Sequence, residues 1–267
     1  MTLAATQLYG GDMARAHLLA GCVEFIHTAT LLHDDVVDES LERRGRDSAN
    51  AVYGNQASVL VGDFLFSRAF QLMTQDGSIE VLRILSDASA TIAEGEVLQL
   101  SVAGQLDTPL DTYIQVITGK TAALFAAATE VGPVIAGAGA EQQSAMRDFG
   151  MNLGIAFQIA DDLLDYTNAI GDDFREGKVT AAIFYALERA TPEERDFWHR
   201  TMQDRQQKDG DFDTALEILK SRGALVAAQD LAMRYAEEAR GALDKAPDNE
   251  IKPLLHDLIN FMVHRSF

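Results

Sequence analysis

Cysteine is almost absent from this sequence, in which Cys22 is the single thiol among 267 residues. A lone cysteine excludes a disulfide within the chain and is typical of a protein that works in a reducing compartment. Cys22 lies on an apolar helical stretch, so we expect it to pack in the core. No run of about 18 or more apolar residues predicts a membrane span, and no signal peptide is evident.

Proline is also scarce, with five residues in the whole chain. Because proline breaks the interior of a helix, long stretches are left in which helices run uninterrupted. Alternation of apolar and polar residues with period two is nowhere sustained, so strands are not expected. We predict one all-α domain over residues 1–267, in which the end of one helix over residues 1–10 precedes helices near residues 11–38, 56–75, 77–103, 108–132, 140–166, 180–190, 192–208, 211–221, 224–245 and 248–265.

Basic side chains are few, since 22 Lys and Arg residues stand against 41 Asp and Glu residues and give a formal net charge of −19. Nucleic-acid phosphates are bound through Lys and Arg, so this balance argues against a nucleic-acid partner. A hydrophobic content of 47% is typical of a globular protein with a substantial core.

An acidic motif ends the first long helical stretch, where Asp34, Asp35 and Asp38 follow the apolar run from Glu24. Residues four apart lie on one helix face, about 5–6 Å apart between Cβ atoms, so Asp34 and Asp38 repel each other when both are ionised. Either full solvation or a hard cation relieves that repulsion, and Mg²⁺ prefers oxygen ligands. A single motif of this kind is more often a solvated surface.

A second acidic motif has the same spacing, with Asp161, Asp162 and Asp165 after the apolar run from Gly154. Both motifs contain an aliphatic pair, Val36–Val37 in the first and Leu163–Leu164 in the second, which argues against two simple solvated faces. The repetition instead indicates a site in which multivalent cations lie between carboxylates and a diphosphate.

Two basic motifs complete the pattern: Arg43-Arg44-Gly45 follows the first acidic motif, and Gly119-Lys120-Thr121 lies between the two. Ile114 occupies the position where a Walker phosphate loop requires glycine, so that interpretation fails. With the two acidic motifs, the chain resembles the trans-isoprenyl diphosphate synthases over nearly its whole length. The stretch from Glu24 to Asp38 is most similar to the long-chain polyprenyl members (octaprenyl, solanesyl and decaprenyl diphosphate synthases).

The resemblance implies a helical bundle of the isoprenoid synthase type, with an active-site cavity between helices. It implies Mg²⁺, with Mn²⁺ as the alternative, on the metal ligands Asp34, Asp35, Asp38, Asp161, Asp162 and Asp165. Catalysis is assigned by the same resemblance to Asp34, Asp38, Asp161, Lys120 and Arg43. Substrate contacts are implied for His27, Arg43, Arg44, Lys120, Thr121, Gln158 and Lys178, of which Lys178 closes over a diphosphate as part of a lid.

The implied reaction condenses isopentenyl diphosphate with an allylic diphosphate, either farnesyl or geranyl diphosphate, in a cytoplasmic homodimer. Peripheral association with a membrane is an alternative location, since the product is destined for a membrane. In short-chain members of the family, a bulky aromatic residue one turn before the first aspartate stops growth of the product. Ala29 and Thr30 are small at this place, so the resemblance implies a long product, the precursor of a quinone (ubiquinone) side chain. Three alternatives remain: a farnesyl or geranylgeranyl diphosphate synthase, a terpene cyclase, and a non-catalytic subunit of a heteromeric prenyl synthase.

The sequence departs from the family pattern at three places. The family motif G-G-K-R-x-R-P is absent ahead of the first residues, and an L-G-K stretch is absent near residues 168–171. Ala181-Ala182 follows Thr180 where the family usually has proline. We expect the first two gaps to be mobile segments of a longer protein. True deletions would impair binding of isopentenyl diphosphate.

Overall fold

The computed structural model of the protein describes residues 1–43, 45–168 and 170–264. α-Helices dominate this part of the chain, which confirms the all-α prediction. The chain divides into two compact units, one formed by Met1–Ser89 with Ala127–Ser144 and the other by Ala90–Ala126 with the residues from Ala145 onward. The single-domain organisation expected from the sequence stays a prediction.

The helices follow one another with short connections. In chain order they are α1 (Thr2–Leu8), α2 (Met13–Val37), α3 (Ala49–Tyr53), α4 (Asn55–Asp76), α5 (Ile79–Val102), α6 (Leu110–Ile117), α7 (Ala123–Ile135), α8 (Ala140–Thr167), α9 (Asp172–Arg175), α10 (Ala181–Glu188), α11 (Pro192–Trp198), α12 (Asp211–Ser221), α13 (Ala224–Leu243) and α14 (Ile251–His264). Within the described residues, none of these helices is long and apolar enough to cross a membrane.

Helix α2 carries the first acidic motif at its end and forms part of the core of the first unit. The carboxylate of Asp12 accepts hydrogen bonds from two backbone N–H groups of the first turn, which caps the helix. Leu19, Cys22, Ile26 and Ala29 recur at three- or four-residue steps and are fully buried, so this face packs inward, with α4 as the main neighbour of α2. Burial raises the pKa of Cys22 to about 11, as expected of a core thiol.

The core of the second unit is rich in aromatic contacts. Phe174 packs against Trp198 and Phe212, with ring centroids 6.4 and 5.7 Å apart, and Tyr166 stacks on Phe212 at 6.3 Å. Such pairs stabilise a core by more than their buried area alone. Because Tyr166 directly follows the second acidic motif and Phe174 lies on the short helix α9 after it, these contacts fix the segment between them to the core.

Two predicted helices differ in detail from the structure. The predicted helix 108–132 contains a π-helical turn, Thr118–Ala122, and continues past Gly132 to Ile135 with Pro133 inside it. The predicted helix 192–208 passes through a π-helical turn, His199–Gln203, and then ends. Arg205 adopts a left-handed backbone conformation with φ 52°, which no continuing right-handed helix can contain.

The sequence also missed a small antiparallel hairpin in which β1 (Glu42–Arg43) pairs with β2 (Arg46–Asp47). Strands of two residues are too short to show alternation in a sequence. The hairpin follows the first acidic motif directly and returns Arg43 toward the end of α2.

Three glycines allow helices of the second unit to approach closely. A Cβ atom at Gly95 would lie 2.6 Å from the backbone nitrogen of Lys120, and one at Gly119 would lie 2.9 Å from the Cα of Gly95. A Cβ atom at Gly154 would lie 2.6 Å from the Cα of Ala122. The π-helical turn that carries Lys120 is therefore held between α5 and α8 at backbone contact distance.

This contact predicts opposite effects for two helical Gly→Ala substitutions. Gly95→Ala inserts a methyl group against backbone and should lower the free energy of unfolding by about 1–3 kcal/mol. Gly241 lies in α13, where a Cβ atom would meet no other part of the described chain within 4 Å. Gly241→Ala should therefore raise that free energy by about 0.5–1 kcal/mol. Urea denaturation followed by circular dichroism compares the two variants, and equal effects would contradict the close approach at Gly95.

Candidate functional site

The first acidic motif lies at the C-terminal end of α2, where Asp38 is the capping residue. Asp34 is half-buried, Asp38 is exposed, and Asp35 is buried with 3% of its surface exposed. The C-terminus of a helix carries partial negative charge, so carboxylates are electrostatically disfavoured there. Positive charge close to this turn is therefore stabilising.

Arg43 supplies part of that charge from strand β1. Its Nε and Nη2 atoms donate hydrogen bonds to Asp35 Oδ1 at 2.9 and 2.7 Å. Partial burial opposes the charged guanidinium, but the bond to Asp35 and the nearby charges of Asp34 and Asp38 outweigh it and raise the pKa of Arg43. The first motif thus has a buried carboxylate bound to Arg43 and two carboxylates that are more exposed.

Asn50 and Ser48, which sequence reasoning did not single out, stabilise the same turn. The side-chain amide of Asn50 donates to the backbone carbonyls of Asp35 and Ser40, both at 3.0 Å. The Ser48 hydroxyl also donates to the Ser40 carbonyl, at 2.8 Å. The sequence could have indicated this role, because Asn and Ser that follow an acidic turn commonly form hydrogen bonds with backbone groups in loops.

The remaining sequence-predicted residues of the first unit lie on α2 or just beyond it. His27 and Thr30 are half-buried, and the Thr30 hydroxyl donates to the His27 carbonyl at 2.8 Å. Ala29 is fully buried on the face that packs inward. Arg44 lies outside the described residues, so its expected contact with isopentenyl diphosphate stays a prediction.

The second acidic motif lies near the C-terminal end of α8, in the second unit. Asp161 is exposed, whereas Asp162 and Asp165 are buried. Asp162 accepts three short hydrogen bonds. Tyr113 donates its hydroxyl to Oδ2 at 2.7 Å, while the Gln158 amide and the Lys178 ammonium each donate to Oδ1 at 2.8 Å. A buried carboxylate requires such donors, because leaving one out costs about 1–3 kcal/mol.

Thr121 joins this network from the π-helical turn, and the adjacent Lys120 pairs with a carboxylate of α5. The Thr121 hydroxyl donates to Gln158 Oε1 at 2.8 Å, so a continuous chain of hydrogen bonds runs from Thr121 through Gln158 to Asp162. The Lys120 ammonium lies 3.0 Å from Glu96 Oε2, and both side chains are about three-quarters buried. The substrate contacts that the resemblance implied for Lys120, Thr121 and Gln158 stay predictions, while the structure joins Thr121 to Gln158 by a hydrogen bond. It adds Glu96 as the carboxylate partner of Lys120.

Tyr113 is the residue of this network that the sequence did not reveal. It lies on α6, 5% exposed, and its hydroxyl contacts a carboxylate 49 positions later in the chain. Burial and the adjacent charge of Asp162 raise its pKa well above the ordinary tyrosine value, so the hydroxyl stays protonated and donates. In the sequence, only the position of Tyr113 two helical turns before Lys120 points to a role in the site. A tyrosine that merely packs in the apolar core would show the same spacing.

Asp165 organises the loop that follows the second motif. Its two carboxylate oxygens accept hydrogen bonds from the backbone N–H groups of Asp172 and Asp173, at 2.9 and 3.2 Å, at the start of α9. Gly171, with φ 76°, lets the chain turn directly against the Phe212 ring. Burial raises the pKa of Asp165, although the two backbone hydrogen bonds oppose that shift. The carboxylate thus acts as a structural acceptor.

Lys178 ends this loop between two carboxylates. Its ammonium lies 2.8 Å from Asp162 Oδ1 and 3.2 Å from Asp173 Oδ1. Burial alone would lower the pKa of Lys178, but the charges of both aspartates outweigh it and raise that pKa. Burial raises the pKa of Asp173 to about 7, against the opposing charge of Lys178. The ammonium expected to close over a diphosphate is therefore fixed on the acidic cluster.

The donor set fits a hard cation completed by a substrate. Among the described residues, no three His, Cys, Asp or Glu side chains already form a cluster that could hold a metal ion. Mg²⁺ commonly binds through one or two carboxylates, several waters and substrate phosphates. Asp34 and Asp38 in the first unit, and Asp161 in the second, are the carboxylates of the two motifs that stay outside the buried cores. Each motif taken by itself thus has the one or two carboxylates that this mode of binding uses.

Comparison with known proteins places these features in one family. The family model described as polyprenyl synthetase matches residues 1–219. An octaprenyl diphosphate synthase from Escherichia coli (strain K12) is 43% identical over 265 residues, which are 96% of this chain and 81% of that protein.

Solved structures give the same result. A decaprenyl diphosphate synthase from Rhodobacter capsulatus has a TM-score of 0.94 and 51% identity, covering 98% of this chain and 83% of that one. A polyprenyl synthase from Caulobacter crescentus CB15, complexed with calcium and isoprenyl diphosphate, has a TM-score of 0.95 and 49% identity, covering 99% and 83%.

Proposed function

We propose that this chain, which belongs to the polyprenyl synthetase family, uses its two acidic turns to bind metal ions and an allylic diphosphate. It is a trans-prenyltransferase, and its relatives support long-chain polyprenyl diphosphate synthesis. The shorter-chain, cyclase and non-catalytic alternatives are not favoured. The observation that carries the proposal is that each acidic turn buries its second aspartate on a basic side chain and leaves its first aspartate outside the core.

The proposed role of each residue follows from its surroundings. Asp34, Asp38 and Asp161 would hold Mg²⁺, which neutralises charge that develops on a diphosphate leaving group. Arg43, Lys120 and Lys178, each held by a carboxylate, supply fixed positive charge to the oxygens of the allylic diphosphate. No side chain acts as a nucleophile, since the double bond of isopentenyl diphosphate attacks the allylic carbon as the diphosphate leaves. The released diphosphate accepts the proton lost from the adduct.

The buried aspartates have a different part in this proposal. Asp35, Asp162 and Asp165 were also expected to be metal ligands, and Oδ1 of each already accepts a hydrogen bond, from Arg43, Lys178 and the backbone N–H of Asp172 respectively. We propose that they orient those groups and the outer carboxylates. A hydrogen-bonded carboxylate behind a metal ligand commonly fixes the geometry of a site in this way.

The first prediction is metal-dependent chain elongation. Incubation with farnesyl diphosphate and radiolabelled isopentenyl diphosphate should yield labelled extractable lipid in the presence of Mg²⁺ and none after chelation by EDTA. Asp34→Ala and Asp161→Ala should each lower turnover by orders of magnitude, because each removes a metal-binding carboxylate. Asp230→Ala, at an exposed position of α13, is the control and should leave turnover unchanged. Full activity in Asp161→Ala would contradict the assignment.

The second prediction concerns product length. We propose that the growing chain passes Ala29, which lies on the inward face of α2 one turn before the acidic motif. Ala29→Phe should give a shorter product without loss of the reaction, because it fills that space and leaves the carboxylates in place. Thr30→Ala should not shorten the product. Thin-layer analysis of dephosphorylated products measures the length, and an unchanged length in a folded Ala29→Phe variant would exclude this path.

The third prediction is a homodimer. Leu60 and Phe64 lie four residues apart on α4 and are 67% and 64% exposed. Exposed apolar side chains clustered on one helix face mark an interaction surface. We propose that a second copy of the chain covers this face of α4.

Light scattering at micromolar concentration should give the mass of a dimer for the unmodified chain. Phe64→Asp places a charge in the proposed interface and should give the mass of a monomer. Leu254→Asp changes a similarly exposed residue of α14 and should leave the dimer intact. A monomeric mass for the unmodified chain would refute the homodimer.

A further inference from the structure

The segment after the π-helical turn His199–Gln203 holds the loop that ends in Lys178. The side-chain amide of Gln207 donates two hydrogen bonds, one to the Phe174 carbonyl at 2.8 Å and one to the Thr201 carbonyl at 3.0 Å. The first acceptor belongs to the loop and the second to the π-helical turn. One side chain therefore connects the two segments.

The Phe174 carbonyl is also the acceptor that closes the turn before Lys178. It accepts a second hydrogen bond from the backbone N–H of Gly177 at 3.1 Å, and the backbone N–H of Lys178 donates to the Asp173 carbonyl at 2.9 Å. Gly177 has φ 67°, and a Cβ atom there would lie 2.8 Å from the Met202 carbonyl oxygen. The turn therefore lies directly against the π-helical turn at this point.

The segment that carries Gln207 is itself rigidly built. The guanidinium of Arg200 donates to both carboxylate oxygens of Asp211 at 2.8 Å, and it also donates to the Gln206 carbonyl. Arg205 keeps a left-handed conformation, which costs about 1–3 kcal/mol and persists only where the surrounding structure imposes it. The bidentate Arg200–Asp211 pair provides that constraint, so Gln207 is presented from a fixed backbone.

We propose that Gln207 is a positioning residue for Lys178. By holding the Phe174 carbonyl, it fixes the turn from Phe174 to Lys178, so the ammonium stays on Asp162 and Asp173. This inference rests on the proposed function, in which Lys178 contributes positive charge to the allylic diphosphate. Loss of the Gln207 amide should then weaken binding of the allylic diphosphate, and the whole effect should depend on the presence of Lys178.

Steady-state kinetics with farnesyl diphosphate and isopentenyl diphosphate tests the proposal. Gln207→Ala should raise the KM for farnesyl diphosphate about fivefold, the effect of losing one or two hydrogen bonds. It should leave kcat and the KM for isopentenyl diphosphate unchanged. Gln207→Glu keeps the size of the side chain and removes its hydrogen-bond donors, so it should raise the same KM to a similar extent as Gln207→Ala. Gln206→Ala is the matched control, because Gln206 contributes its backbone carbonyl, which this substitution keeps.

A double-mutant cycle distinguishes positioning from general destabilisation. In a Lys178→Ala background, Gln207→Ala should have no further effect on the KM for farnesyl diphosphate, because the group that Gln207 positions is gone. An equal rise of that KM in both backgrounds would overturn the proposal. So would an unchanged KM in Gln207→Ala on its own.

Limited trypsin digestion of the folded protein tests the connection without turnover. Arg175 is the exposed last residue of α9, so cleavage after Arg175 should be faster in Gln207→Ala and Gln207→Glu than in Gln206→Ala. Cleavage after the exposed Lys220 should stay the same in all variants. If the unmodified chain shows no metal-dependent elongation, the proposed function fails. The digestion experiment still tests whether Gln207 holds the turn before Lys178. Equal cleavage after Arg175 would overturn its role.

Discussion

A carboxylate removed from water must find donors within the protein, and Asp162 imposes that requirement on three segments of the second unit. Its three donors come from α6, from α8 itself and from the loop after α8. Their bonds extend to Thr121 and the π-helical turn through Gln158, and to Asp173 through Lys178. Withdrawing one donor would leave charge unsatisfied in a medium of low dielectric constant. The loops and turns are therefore specified together.

In both acidic turns, repulsion among the carboxylates is reduced by a nearby basic side chain. Both lie at the C-terminal end of a long helix, where the macrodipole adds to the repulsion among the carboxylates. In each acidic turn, a basic residue from the segment that follows binds the second aspartate: Arg43 binds Asp35, and Lys178 binds Asp162. The third aspartates differ, since Asp38 is exposed while Asp165 caps the start of α9. Identical spacing thus supports different local structures.

Much of the helical structure follows from the sequence because periodicity and capping are local. The long helices α2, α4, α5 and α8 lie within a few residues of their predicted bounds. The π-helical turns did not follow, because they arise where a neighbouring backbone approaches, as at Gly119. Neighbouring residues on a helix point in different directions, so the inward Asp35 and outward Asp34 agree with helix geometry. The partner of each buried aspartate depends on contacts distant in sequence, as Tyr113 illustrates.

The three close glycine contacts have a consequence for how this protein can diverge. Because Gly95, Gly119 and Gly154 each face backbone atoms at less than a normal contact distance for a side chain, natural variation there requires concerted rearrangement of several helices. The inward face of α2 is instead built of side chains such as Ala29, and packed side chains can exchange volume with their neighbours. On the path past Ala29 proposed above, substitutions can therefore alter the length of the hydrocarbon far more readily than the spacing around Lys120.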